Sequence, residues 1–120
     1  MRTRTIGSMH RCGDILAADL GLPDGSEAGF QRPVVIVTAQ AVLDHGPTVV
    51  HVVPLTTTVR GYRSEVTISP DVANGLEATS AAQCQHVRAI SVQRLANTTG
   101  NVGPHVLAQI REALADLFDL

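Results

Sequence analysis

Two aliphatic runs, "PVVIVT" at 33–38 and "TVVHVVPLT" at 48–56, constrain this chain more than anything else in it. Both are rich in β-branched residues, whose stiff side chains suit a pleated strand, and each has the length of a strand. The cluster "DHGP" between them marks a turn. A chain with two such strands at its centre must build a sheet. "GDILAADL" at 13–20 reads as a first strand, with Leu16, Ala18 and Leu20 on one face if extended. "SEVTIS" at 64–69 alternates as a half-buried strand should, and "SAAQCQHVRAIS" at 80–91 is a further extended stretch leading to "VQRL". The polar "NTTGNVG" then breaks the pattern. Gly103-Pro104 opens a helix, because proline fits the first helical position, where its missing N–H costs nothing. Leu107, Ile110, Leu114 and Leu117 fall on one face of that helix. Five or six short strands and one C-terminal amphipathic helix are expected, a mainly β barrel spanning 12–120. Residues 1–11 read as a basic, aperiodic extension in which Met9 offers an alternative start.

At 120 residues the chain is expected to be one domain with one modest core. With 44% hydrophobic residues but only 2% aromatics, that core must be aliphatic. The apolar runs fall far short of the roughly 20 residues that span a bilayer, and no charged start leads into a signal-like stretch. A cytoplasmic protein is expected, with no membrane contact. Cys12 and Cys84 then read as reduced thiols, and neither has a spacing that would hold zinc, so no metal and no cofactor is indicated. A net charge of -2 argues against a generic electrostatic grip on a polyanion. If nucleic acid is the substrate, a few placed groups must bind it, and the scarcity of aromatics counts against a general single-strand binder.

The stretch "GSEAGFQRPVVIVT" holds the first such groups. Pro33 keeps the preceding residue extended and cannot donate a ladder hydrogen bond, so Arg32 stands on a rigid mount at the edge of the sheet. A planar, always charged guanidinium there suits a phosphate, although a solvated strand-end arginine is the commoner case. Glu27 in the same loop could act as a base or pair with Arg32, and Ser26 reads as a turn residue rather than a nucleophile. Thr56, Thr57 and Thr58 follow Pro54 at a strand end, where hydroxyls could orient a phosphate or ribose. Arg60, Tyr62 and Arg63 form the one local basic cluster with an aromatic, suited to an RNA backbone and a stacked base or to a solvated loop. His51, inside a strand, reads as structural, while His86 could face a site or the core. Cys84 and His86 are not read as a catalytic pair.

In this order the segments resemble the MazF/PemK (Kid) family of toxin endoribonucleases, from about Gly13 to Leu120. "GDILAADL" looks like the family's first strand, "GSEAGFQRP" is similar to its GSE-x-G-x-x-RP loop, and "VVPLTTTVRGYRSEV" resembles its strand, Thr-containing turn and long loop. The resemblance implies an SH3-like barrel forming a homodimer, with single-stranded RNA in a groove across the interface and a cognate antitoxin whose acidic, apolar tail covers that groove. It implies metal-independent cleavage in which the ribose 2′-OH attacks phosphorus, leaving a 2′,3′-cyclic phosphate and a 5′-OH. Arg32 would then bind the non-bridging phosphate oxygens, Thr56 would hydrogen-bond the phosphate and Glu27 would take the 2′ proton. Ser26, Gln31, Thr57, Arg60, Tyr62 and Gln83 would contact RNA.

One departure stands out. Where many relatives have an acidic residue followed by Gln, this chain has Gln85-His86, which either alters RNA contacts or brings an imidazole near the scissile phosphate. Two other readings compete. A CcdB-like gyrase-binding toxin of the same fold would need apolar and aromatic determinants near the C-terminus, where "DLFDL" offers only Phe118. A non-catalytic RNA- or partner-binding barrel would not need intact "GSE", "RP" and "LTT" segments.

Overall fold

Side chains along β1 (Asp14–Asp19), β2 (Gln31–Ile36) and β3 (Val49–Thr56) are buried on both sides of the sheet these strands form. The computed structural model describes residues 9–22, 24–26 and 29–120. On one side Ile15, Val35, Val53 and Leu55 cluster with Leu107 and Ile110 of the C-terminal helix. On the other, Leu16, Ala18, Val34, Ile36, Val50 and Val52 cluster with Leu20, Leu43 and Ile90. Burial on both faces explains why the central strands are continuous apolar runs rather than alternating ones.

Four further strands follow: β4 (Glu65–Ile68), β5 (Ser80–Gln83), β6 (Arg88–Ser91) and β7 (Leu95–Asn101). The sheet is antiparallel, in the order β4-β5-β3-β2-β1-β7. β3 has two successive partners: Val49 to Val52 pair with β6, while Leu55 and Thr56 pair with β5. Changing partner part-way along β3 bends the sheet into a barrel, and a single 3-10 turn, Cys84–His86, makes the corner from β5 to β6. The expected mainly β fold with a C-terminal helix is therefore what the chain adopts, with seven strands among the described residues.

The seventh strand is a correction. "NTTGNVG", read as a break, supplies most of β7, which pairs with β1 through Ile15↔Gly100 and Leu16↔Thr98 in an irregular register. β7 is an edge strand with residues 96–99 exposed, so packing does not require apolar side chains there. Gly100 lies against the Asp71 to Asn74 turn. A Cβ at this position would come 2.8 Å from the Ala73 carbonyl oxygen and closer still to the Asn74 carbonyl, both backbone groups that cannot rotate away. Gly100→Ala is expected to destabilise the domain by about 1–3 kcal/mol, read as a lower denaturant midpoint at unchanged slope.

A short helix, α1 (Gln40–Leu43), precedes the expected turn and seats Leu43 in the second cluster. The C-terminal helix α2 (Gly103–Phe118) begins where Asn101 Oδ1 accepts a hydrogen bond from the Gly103 N–H (2.8 Å) and carries Pro104 in its first turn. Leu107 and Ile110 are buried and Leu114 packs on the core, but Leu117 is 43% exposed, because the apolar face outruns the barrel it covers. His51 lies inside β3, as expected, opposite Ala89 of β6, with its side chain exposed. Its face of β3 meets the helix cluster only farther along, at Val53 and Leu55. Cys12 and Cys84 are free thiols. No helix among the described residues is long and apolar enough to cross a membrane.

Candidate active site

Arg32 is the second residue of β2, opposite Ala18 of β1. The β2–β3 ladder ends at Val34↔Pro54, and extending its register by two residues brings Arg32 level with Thr56. The half-buried guanidinium reaches across to β5, where Nη1 donates to Gln83 Oε1 (3.3 Å). Gln83 is only 7% exposed, so this bond gives a buried amide oxygen its partner and fixes the arginine in one direction.

Around this pair lies an open cleft of about 640 Å³. The β1–β2 loop contributes Gly25, Ser26, Gly29 and Phe30; the β3–β4 loop contributes Arg60 and Tyr62; the β5–β6 corner contributes Gln85 and His86. Phe30 holds a left-handed φ of 61°, a strained conformation for a bulky residue, and is 60% exposed. The Arg60 guanidinium sits 4.3 Å over the centre of the Tyr62 ring. The chain has one Tyr, two Phe and no Trp, so two of its three aromatic side chains border this one cleft.

Behind the cleft wall is a buried carboxylate that sequence reasoning missed. The Glu65 side chain, 1% exposed, opens β4 opposite Gln83. Its Oε2 accepts from Arg60 Nη2 (2.6 Å) and Gln85 Nε2 (2.7 Å), while Gln85 Oε1 accepts from the Ser64 hydroxyl (2.9 Å). Burial pushes the Glu65 carboxyl up, but the hydrogen bonds from Gln85 and Arg60, with the Arg60 charge, outweigh it and hold the group below its ordinary 4.5. Stability from this group is therefore fully present above pH 4.5 and lost as pH falls through the lowered value. Glu65→Gln is expected to lose less of its own stability than the parent as pH falls below about 4.5, measured as melting temperature against pH.

The cleft thus gathers Ser26, Arg32, Arg60, Tyr62, Gln83, Gln85 and His86 of the residues singled out in the sequence. Gln31, exposed and paired with Asp19, stands outside its lining, as does exposed Thr57. Thr56 is half-buried at the end of β3, also off the lining, with its hydroxyl accepting from the Thr58 N–H (3.1 Å). Glu27 lies outside the described residues. Phe30 was missed because its conformation leaves no trace in the sequence, although the count of aromatics could have drawn attention to it. Burial and the nearby Glu65 charge push the Cys84 thiol up to about 11, an inert thiol at neutral pH. Among the described residues no group of three His, Cys, Asp or Glu is placed to hold a metal ion.

The model of the family described as PemK-like, MazF-like toxin of type II toxin-antitoxin system matches residues 11–118. The chain belongs to this family. The PemK/MazF-like domain is 38% identical over 117 residues to endoribonuclease MazF9 of Mycobacterium tuberculosis, covering 93% of this chain and 98% of that one. Among solved structures it is similar to Mycobacterium tuberculosis toxin MazF-mt6, at 33% identity and a TM-score of 0.73, covering 89% of this chain and 97% of the other. It is also similar to a mycobacterial endoribonuclease in complex with its cognate antitoxin, at 26% identity and a TM-score of 0.72, covering 90% and 93% of the two chains. The shared architecture of PemK/MazF-like toxins is thus the frame on which this chain mounts Arg32, Gln83 and the aromatic-lined cleft.

Proposed function

We propose that this toxin is a sequence-specific, metal-independent endoribonuclease that cuts single-stranded RNA, works as a cytoplasmic homodimer and is restrained by a cognate antitoxin. The observation that carries the reading is the guanidinium of Arg32, fixed by Gln83 in a cleft that also holds Arg60, Tyr62 and Phe30. The Arg32 cation, beside an Arg60 already paired with Glu65, suits a phosphodiester backbone, and the aromatic side chains Phe30 and Tyr62 suit splayed bases, which is how single strands are bound. The names of the relatives, endoribonuclease MazF9 above all, support the same activity, and the family match favours it over gyrase binding.

RNA supplies its own nucleophile. Attack of the 2′-OH on phosphorus makes a crowded dianionic phosphorane, and the protein needs only to stabilise that charge and to move two protons. Arg32 binds the non-bridging oxygens, since a guanidinium is a strong electrostatic clamp and a reluctant acid. Thr56, level with Arg32, hydrogen-bonds the phosphate once its hydroxyl turns to the substrate. Glu27 takes the 2′ proton. Ser26, Gln31, Thr57, Arg60, Tyr62 and Gln83 hold the strand. The test is incubation with a long defined RNA in EDTA, followed by mapping of the ends. Discrete cuts with 2′,3′-cyclic phosphate and 5′-OH termini are expected; intact RNA in the presence of folded protein would sink the proposal.

A further inference from the structure

The scheme above leaves one proton unassigned, that needed by the departing 5′ oxygen. A phenol and a guanidinium hold their protons tightly at neutral pH, so Tyr62, Arg32 and Arg60 are poor donors to a leaving alkoxide. His86 is the cleft's one imidazole among the described residues, and imidazole exchanges protons between about pH 5 and 8.

The mount of His86 is as fixed as that of Arg32. The Cys84–His86 turn is tied at its start by the Cys84 N–H to the Ser64 carbonyl (3.0 Å) and at its end by the Val87 N–H to the Cys84 carbonyl (3.1 Å). Gln85 is held by Glu65 and Ser64, and Gln83, one residue before the turn, holds Arg32. One short corner therefore locks the guanidinium and carries the imidazole into the same cleft.

We infer that His86 is the general acid of the cleavage step. This rests on the endoribonuclease reading and deepens it. The 2′ oxygen bonds to phosphorus and its proton passes to the Glu27 carboxylate. The bond from phosphorus to the 5′ oxygen breaks with both electrons going to that oxygen, which takes the proton of the His86 imidazolium. The neutral imidazole then regains a proton from water. Charged and titratable neighbours come from three elements: Arg32 on β2, Arg60 and Tyr62 on the loop after β3, and Glu65 on β4 behind Gln85. Helix α2 meets the Cys84 side of the turn with Leu107 and Ile110, and its carboxylates Glu112 and Asp116 line a separate groove with Arg63. An acid must be protonated to act, so kcat/KM is expected to fall as rising pH strips the proton from His86.

The decisive experiment compares the parent, His86→Ala and His86→Gln on a short RNA containing a mapped cut site and on the same RNA with sulfur replacing the bridging 5′ oxygen. A thiolate leaves without a proton, so only a general acid becomes dispensable on the sulfur substrate. Both variants should cut the oxygen RNA about a hundredfold to ten-thousandfold more slowly, lose the alkaline fall in kcat/KM, and recover to near the parent rate on the sulfur RNA. Equal cutting of the oxygen RNA by parent and variants, or equal losses on both substrates, would overturn the role of His86 while leaving the nuclease reading intact. A folded parent that cuts neither RNA would overturn both.

Discussion

Arg32→Ala is expected to keep the fold and to lose RNA cleavage by about a hundredfold to a thousandfold, in kcat more than in KM. The fold survives because the β1–β2 ladder at Ala18↔Arg32 is made by backbone, and Pro33 and the buried Val34 follow unchanged. The truncation frees the Gln83 amide, which borders an open cleft where water can replace the lost donor. What no water replaces is a fixed, planar cation aimed at the oxygens whose charge grows in the transition state. Arg32→Lys should recover part of the rate, since it keeps the charge without the paired N–H geometry. Initial rates on a defined RNA in EDTA, beside thermal melts of each variant, give the answer. A variant that cuts at the parent rate would remove Arg32 from the mechanism.

Ile110→Ala carries the largest expected cost in stability, about 2–5 kcal/mol. Ile110 is fully buried where α2 meets the first cluster, among Ile15, Val35, Val53, Leu55 and Cys84. The missing carbons leave a cavity beneath the helix, and a β-sheet cannot collapse far to fill it. α2 also packs on β4 and on the Cys84–His86 turn, the two elements that seat Glu65, Gln85 and His86. Weak docking of the helix should therefore blunt cleavage at temperatures well below the midpoint of unfolding. Chemical denaturation at constant slope measures the first effect; an unchanged midpoint would show that the helix does not anchor the barrel.

Much of this architecture was legible in the residues. Strands with burial on both faces announce themselves as aliphatic runs, and the helix declared its buried face through Leu107 and Ile110. β7 did not, because an edge strand needs only backbone pairing, and Ala96, Asn97, Thr98 and Thr99 satisfy that while looking like a loop. The exposure of His51 was not legible, because position within a strand says nothing about what covers that face. In the cleft, Arg32 could be singled out from the proline after it, Arg60 and Tyr62 from the basic cluster with an aromatic, and Gln83 from the resemblance. Glu65 could not. A carboxylate in "SEVTIS" looks like the solvent-facing member of an alternating strand, and only the three-dimensional meeting of Arg60, Gln85 and Ser64 makes its burial tolerable.

The Arg32–Gln83 contact spans 51 positions of the chain, and β1 completes its pairing only with β7. A ribosome making this protein therefore releases the arginine long before the residue that aims it, and the sheet's final edge comes later still. Every shorter nascent chain lacks the means to orient that charge. The cell that translates the message is spared its product's chemistry until Gln83 and β7 have been made, and the interval leaves room for a restraining partner to be present when the cleft first forms.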